Sequence, residues 1–141
     1  MSEYRKNKTN YKDRECLVKA LNEQGYTNEM IELHEQPQQL YDYCGHATHY
    51  LDADGDKAEI IVRRKYVGGA ANDLGFKKEA DGTYSAIVSA YDSSKHNTKW
   101  MDGLKRAYGE AVIHKTAKRL NLKPYASKVV NGRKQIQYMA V

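Results

Sequence analysis

Ala58-Glu59-Ile60-Ile61-Val62-Arg63-Arg64-Lys65-Tyr66-Val67 is the stretch that decides the fold class. Its β-branched residues predict a strand over residues 58–67. Gly68-Gly69-Ala70-Ala71 follows as a flexible turn. Beyond it, residues 73–78 and 83–91 flank Asp81-Gly82, a pair suited to the positive backbone angles of a tight hairpin turn. Upstream, Met30, Ile31 and Leu33 predict a short strand. Residues 36–57 then form a long connection rich in Tyr, His, Asp and Gly. A compact domain seldom carries such a loop without a purpose or hidden structure.

Helices bracket these strands. Residues 3–11 are polar and predict an edge strand. Asp13 then caps a helix, because its carboxylate accepts from an otherwise unpaired amide. Leu17, Ala20 and Leu21 give that helix an apolar face, with Cys16 beside it and Gly25 as its stop. Asn97 or Thr98 caps a second helix carrying Trp100, Leu104, Ala107, Ala111, Ile113 or His114, Ala117 and Leu120. Gly103 and Gly109 each cost about 1 kcal/mol relative to alanine in a helix, and are expected to permit close approach to the sheet. After Pro124, residues 125–130 and 134–141 predict a last hairpin around Asn131-Gly132. The pattern is α+β: an antiparallel sheet with two helices packed on one face, in one domain over residues 1–141. Strand–helix–strand–strand fits residues 3–67 and again 83–141, without matching residue identities. The terminal strands are expected at the edges, which suits edge pairing in a homo-oligomer or with another protein.

With 40% hydrophobic and 29% charged residues, the 141-residue chain reads as globular. Two cysteines, Cys16 and Cys44, are too few for a disulfide framework and suit a reducing compartment, the cytoplasm. The N-terminus lacks a secretory pattern, and no apolar run approaches the ~20 residues of a membrane span, so no membrane partner is expected. Charge is unevenly placed. Residues 29–59 carry eight acidic residues against Lys57, a net −7, whereas residues 97–141 carry ten Lys or Arg against Asp102 and Glu110, a net +8. Such asymmetry either steers an anionic partner or lets the two regions attract each other, within the fold or across a dimer.

Phosphate-binding glycine loops, a dinucleotide fingerprint, a nucleophile elbow, His-Glu-x-x-His and Cys-x-x-Cys are all missing from the sequence. Asp52-Ala-Asp54-Gly55-Asp56 is a turn rather than a calcium loop, since its glycine comes two places early and Arg63 stands where a bidentate Glu belongs. Cys44-Gly-His46-Ala-Thr-His49, with His34 upstream, is the most metal-like cluster. Its spacing is not that of a zinc finger, so neither metal nor cofactor is expected. His114, Asp73 and Glu59 sit among apolar residues, where a buried, satisfied side chain is a commoner outcome than an acid–base catalyst. No catalytic residue is assigned, and a binding protein is expected rather than an enzyme.

Twelve Tyr accompany one Phe and one Trp. Tyr41, Tyr43 and Tyr50 lie in the long loop, Tyr66 follows Arg63-Arg64-Lys65, and Tyr108, Tyr125 and Tyr138 lie in the basic third. Aromatics interleaved with Lys and Arg suit nucleic acid, where a base stacks while its phosphate is neutralised. Half-burial on strand faces is the competing explanation. The expected partner is a nucleic acid or nucleotide-like ligand. Arg63, Arg64, Lys65, Lys115, Lys118 and Arg119 would contact phosphate, and Tyr41, Tyr43 and Tyr66 would stack. The alternative is a protein-interaction module acting through a strand edge or the acidic loop.

Several blocks resemble a family first catalogued as hypothetical chloroplast reading frame thirty-five. These are Glu35-Gln-Pro37-x-x-Leu40-Tyr41-x-Tyr43-x-Gly45, Lys57-Ala-Glu59-Ile60-Ile-Val62-Arg63-Arg64, Gly69-x-Ala71-Asn72-Asp73-Leu-Gly75-Phe76 and Asp81-Gly82-x-Tyr84. The resemblance spans essentially the whole chain, and similar proteins occur in cyanobacteria, other bacteria and phages. It implies a small soluble protein and carries over no catalytic residue. The sequence departs from the family's pattern in residues 44–49 and in its more basic C-terminal third.

Overall fold

The structure, a computed structural model, describes residues 3–92, 94–130 and 133–140, with side chains for 3–90, 92 and 94–121. Strand β1 (Tyr4–Tyr11) leads to helix α1 (Arg14–Glu23), and a short 3-10 turn precedes β2 (Ile31–Gln39). Then come β3 (Lys57–Val62), the four-residue helix α2 (Arg64–Val67), β4 (Leu74–Lys78) and β5 (Tyr84–Ser89). The long helix α3 (Thr98–Arg119) precedes β6 (Leu122–Val130) and β7 (Arg133–Ala140). Strands β1 to β5 form one antiparallel sheet in the order β1-β5-β4-β3-β2, while β6 and β7 pair separately. Only the first terminal strand is therefore an edge of the main sheet; its other edge is β2. The repeated element order is present, but its second half ends in a separate ribbon.

Register sorts the central residues onto two faces. Ile60, Phe76 and Ala86 align across β3, β4 and β5, and Ile61, Gly75 and Ile87 form the next row. The first row joins Val62, Leu74 and Val88 in the larger core, beneath Leu17, Ala20 and Leu21 of α1 and Leu104 of α3. Asp13 Oδ1 accepts from Cys16 N at 3.0 Å, and Asn97 Oδ1 accepts from Trp100 N at 2.9 Å, so both predicted caps form. Tyr108 of α3 stacks 4.4 Å from Tyr11, and its hydroxyl accepts from the amides of Lys12 and Asp13. Gly103 meets Gln24 at the end of α1 rather than the sheet, while a Cβ on Gly109 would meet nothing within 4 Å.

The row Ile61, Gly75 and Ile87 opens onto the other face, where a second core holds Tyr4, Leu40 and Ala58. Residues 40–56 lie over it. A Cβ on Gly75 would stand 2.9 Å from Ala58 Cβ and 3.0 Å from Leu40 Cδ1, so glycine is what lets Leu40 seat there. The long connection has the hidden structure its length suggested. Leu40 N donates to Asp56 O, Thr48 N to Leu40 O and Asp56 N to Thr48 O. The Asp56 carboxylate accepts from the amides of Tyr50, Leu51 and Asp52, making the 52–56 segment a turn closed on itself.

Three element boundaries differ most from expectation. Strand β3 stops at Val62, because Asp73 caps residues 64–67 into a helical turn. Strand β2 runs on to Gln39 through a register slip between Leu33 and Gln38 that contains Pro37. Strand β6 starts at Leu122, with Pro124 beside another slip, as proline in a strand requires. The turn expected at Asn131-Gly132, and Val141, lie outside the described residues. Among the described residues, no helix is long and apolar enough to cross a membrane.

His96 sits just before α3, with its Nε2 2.7 Å from the Tyr26 hydroxyl and its ring 4.5 Å from Trp100. Burial, then the neighbouring Lys95 charge, pulls its imidazole down to about 4. Its folded pKa lies below the unfolded value of about 6.5, so its contribution is whole above pH 6.5 and fades as the pH falls toward 4. Between pH 7 and 5 this group is expected to cost about 2 kcal/mol of stability. Urea melts of wild type and His96→Gln at both pH values check this; an equal acid loss in the two proteins contradicts it.

Candidate functional site

The run Arg63-Arg64-Lys65 leaves the buried end of β3 and enters α2. Asp73, just ahead of β4, holds this turn in place. Its Oδ1 accepts from Arg64 N at 2.7 Å; its Oδ2 accepts from Tyr41 N at 2.8 Å and Arg63 Nη1 at 2.9 Å. Its backbone carbonyl accepts from the Tyr4 hydroxyl at 2.6 Å, and its amide donates to Tyr41 O. Asp73 is thus a buried hub joining β1, the long loop, α2 and β4.

Arg63 is consumed in the same network. Its Nε and Nη2 donate to the two Glu32 oxygens at 2.9 and 3.0 Å, a bidentate pair, and Nη1 also reaches Gln39 O at 3.0 Å. Burial opposes the guanidinium's charge, but Glu32 and Asp73 outweigh it and raise its pKa. Burial likewise opposes ionisation of Glu32, yet Arg63 and His34 hold its carboxyl below the usual range. Arg63 is therefore a brace.

Arg64 and Lys65 differ. Arg64 Nη1 donates to the neutral Tyr43 carbonyl at 2.9 Å, which positions the guanidinium without cancelling its charge. Lys65 Nζ lies 4.9 Å from the centre of the half-exposed Tyr66 ring. A cleft of about 620 Å³ opens here, lined by Tyr41, Gly45, Gly68 and Gly69 together with Arg63, Arg64, Lys65 and Asp73. Tyr41 presents its ring at the rim, 39% exposed, with the Arg63 guanidinium 5.7 Å from its centre. Lys95 reaches the same turn by donating to the Val67 carbonyl. Asn72 buttresses the loop, accepting from Tyr43 N at 2.7 Å and donating to Ser89 Oγ at 3.1 Å.

The structure thus gathers Arg63, Arg64, Lys65 and Tyr41 on one cleft. Tyr43 and Tyr66 do not line it: Tyr43 adjoins it through its carbonyl to Arg64, and Tyr66 through Lys65. Nor does the structure bring Lys115, Lys118 and Arg119 to the cleft. Lys115 lies in the helical layer, bonded to Asp13 at 2.6 Å and near Glu15 at 3.5 Å, and Lys118 and Arg119 are exposed on the last turn of α3. Lys95 and the paired glycines were missed as site residues, although Gly68-Gly69 directly follows the basic run.

Of the acid–base candidates, Asp73 is fully engaged, Glu59 accepts from Lys78 N at 3.0 Å, and His114 is exposed rather than set among apolar residues. Cys44 and His46 sit on a turn whose amides donate to Asp42 Oδ1; His49 faces Ala53 O, and His34 pairs with Glu32. Among the described residues, no three His, Cys, Asp or Glu side chains are grouped to hold a metal ion. Comparison with protein-family models, curated proteins and solved structures finds no match, so the cleft's own chemistry carries the functional reading.

Proposed function

We propose that this chain is a binding protein whose cleft takes the phosphate of a nucleotide-like ligand, either a free nucleotide or a single-stranded nucleic acid. One observation carries the reading: among the described residues no carboxylate pairs with Arg64 or Lys65, which share the cleft with the Tyr41 ring and adjoin that of Tyr66, while the Arg63 charge is balanced by Glu32 and Asp73. The two cations would meet the phosphate and an aromatic ring would take the base; stacking contributes about 1–3 kcal/mol per base. Binding rather than catalysis is favoured because the buried Asp73 carboxylate is committed to three donors. The alternative of strand-edge pairing has less support, since a register slip and Pro37 interrupt the β2 edge. A cytoplasmic setting is supported by two free cysteines, Cys16 buried and Cys44 exposed. Membership of the plastid reading-frame family is proposed on similar grounds. Its blocks contain Leu40, Asn72, Asp73, Gly75 and Phe76, which seat the loop and build the core.

A labelled oligothymidylate is expected to bind with an affinity that falls steeply with salt. Arg64→Gln/Lys65→Gln should weaken it about tenfold or more, since hydrogen bonds to charged groups contribute about 1.5–3 kcal/mol each. Fluorescence anisotropy reads both effects. An affinity that ignores salt and the double substitution contradicts the proposal.

A further inference from the structure

A second cavity, of about 750 Å³, opens at the start of α3. Its lining includes Trp100 and the cations Lys95, Lys99 and Arg106, against one carboxylate, Asp102. Lys99, Asp102 and Arg106 follow one another at helical spacing, so they share one face of α3. Lys99 and Arg106 are exposed, and among the described residues neither pairs with a carboxylate, Asp102 included. Trp100 is half-buried on a fixed support: its ring lies 4.5 Å from that of His96, and its carbonyl accepts from Gln24 Nε2 at 2.9 Å. Lys95 joins this cavity to the cleft. Its Nζ donates to the Val67 carbonyl, and a Cβ on Gly68, a wall of the cleft, would stand 2.5 Å from it. The two openings therefore meet at one lysine side chain.

We infer that the ligand is a single strand of nucleic acid rather than a free nucleotide, and that it runs from the cleft past Lys95 into this second cavity. The inference rests on the phosphate-binding reading of the cleft. There, Arg64, Lys65 and Tyr41 suffice for one phosphate and one base. A second set of cations beside a second aromatic ring is of use only to a ligand that repeats both groups. A positive groove with successive stacking rings is how a single strand is held without sequence preference. A duplex is disfavoured, because its bases stack on each other and offer no face to either ring. An acidic peptide would satisfy the cations and leave the rings unused.

The test is calorimetry of the full chain with dithymidylate and with octathymidylate, reading in the same titrations the emission of Trp100, the chain's only tryptophan. Octathymidylate is expected to bind about tenfold or more tighter and to quench Trp100 as a base stacks on it, whereas dithymidylate should bind with that emission unchanged. Lys99→Gln/Arg106→Gln should weaken octathymidylate about tenfold and leave dithymidylate unchanged. The same variant should lower the slope of log affinity against log salt by about 1.4, because two fewer phosphates are neutralised. The Trp100 emission of the wild type needs no substitution, so the test stands if that variant fails to fold. Equal affinity for the two ligands, Trp100 emission unmoved by octathymidylate, or polyglutamate binding as tightly as octathymidylate overturns the inference. Arg64→Gln/Lys65→Gln separates the two possible failures. If it weakens both ligands while Lys99→Gln/Arg106→Gln weakens neither, the cleft reading stands and the track falls. If it weakens neither, the cleft reading falls and takes the track with it.

Discussion

Asp73→Ala is expected to cost about 3–5 kcal/mol, the usual penalty for removing one partner of a buried charged pair. The substitution leaves Arg63 Nη1 without its carboxylate and strips the acceptor from the Tyr41 and Arg64 amides. Glu32 still holds the other side of the guanidinium, so the lower part of that range is expected. For a domain of this size it corresponds to a fall in melting midpoint of roughly 10 °C. Asp73→Asn keeps an acceptor but loses the ion pair, and should fall between alanine and wild type. A loss below about 1 kcal/mol for alanine would mean that the carboxylate is not the hub, since that is no more than an ordinary hydrogen bond contributes.

Leu40→Ala is the second large effect. Leu40 is fully buried against the sheet face that the helices leave open, and its removal is expected to cost about 3 kcal/mol. Its partner position responds in the opposite sense. Gly75→Ala places a Cβ against Ala58 and Leu40, and should cost about 2 kcal/mol by overpacking. In the Leu40→Ala background the Gly75→Ala penalty should shrink, because half of the clash is gone. Urea unfolding of the four proteins in this cycle measures the coupling. Strict additivity would mean that the two residues do not meet.

These sites also mark what the sequence made legible. Both long helices could be read because their signals are local: Asp13 and Asn97 lie within three residues of the amides they cap. The hairpin at Asp81-Gly82 is equally local, with Gly82 at φ +86°. The end of β3 was not legible. Arg63 to Val67 continues a strand-like run, but its cap comes from Asp73, nine residues beyond Arg64. The second core was hidden for a related reason. Leu40 is one of a few apolar residues scattered through a polar loop, and only its position over Gly75 reveals what it covers. At the site, the basic run and nearby tyrosines could be read directly. That Arg63 is neutralised could not, because Glu32 lies 31 residues away in sequence. The pairing of Lys115 with Asp13 was hidden in the same way, since the two are 102 residues apart.

The most direct test of the cleft is a pair of amide NMR spectra of the full chain, with and without a short oligothymidylate. Binding as proposed shifts the amides of Arg64, Lys65, Tyr66, Gly68 and Gly69, together with Tyr41 across the cleft, and leaves α1 unmoved. Saturable binding whose shifts fall elsewhere, or no shifts at high ligand concentration, would contradict the placement of an anion between Arg64, Lys65 and Tyr41.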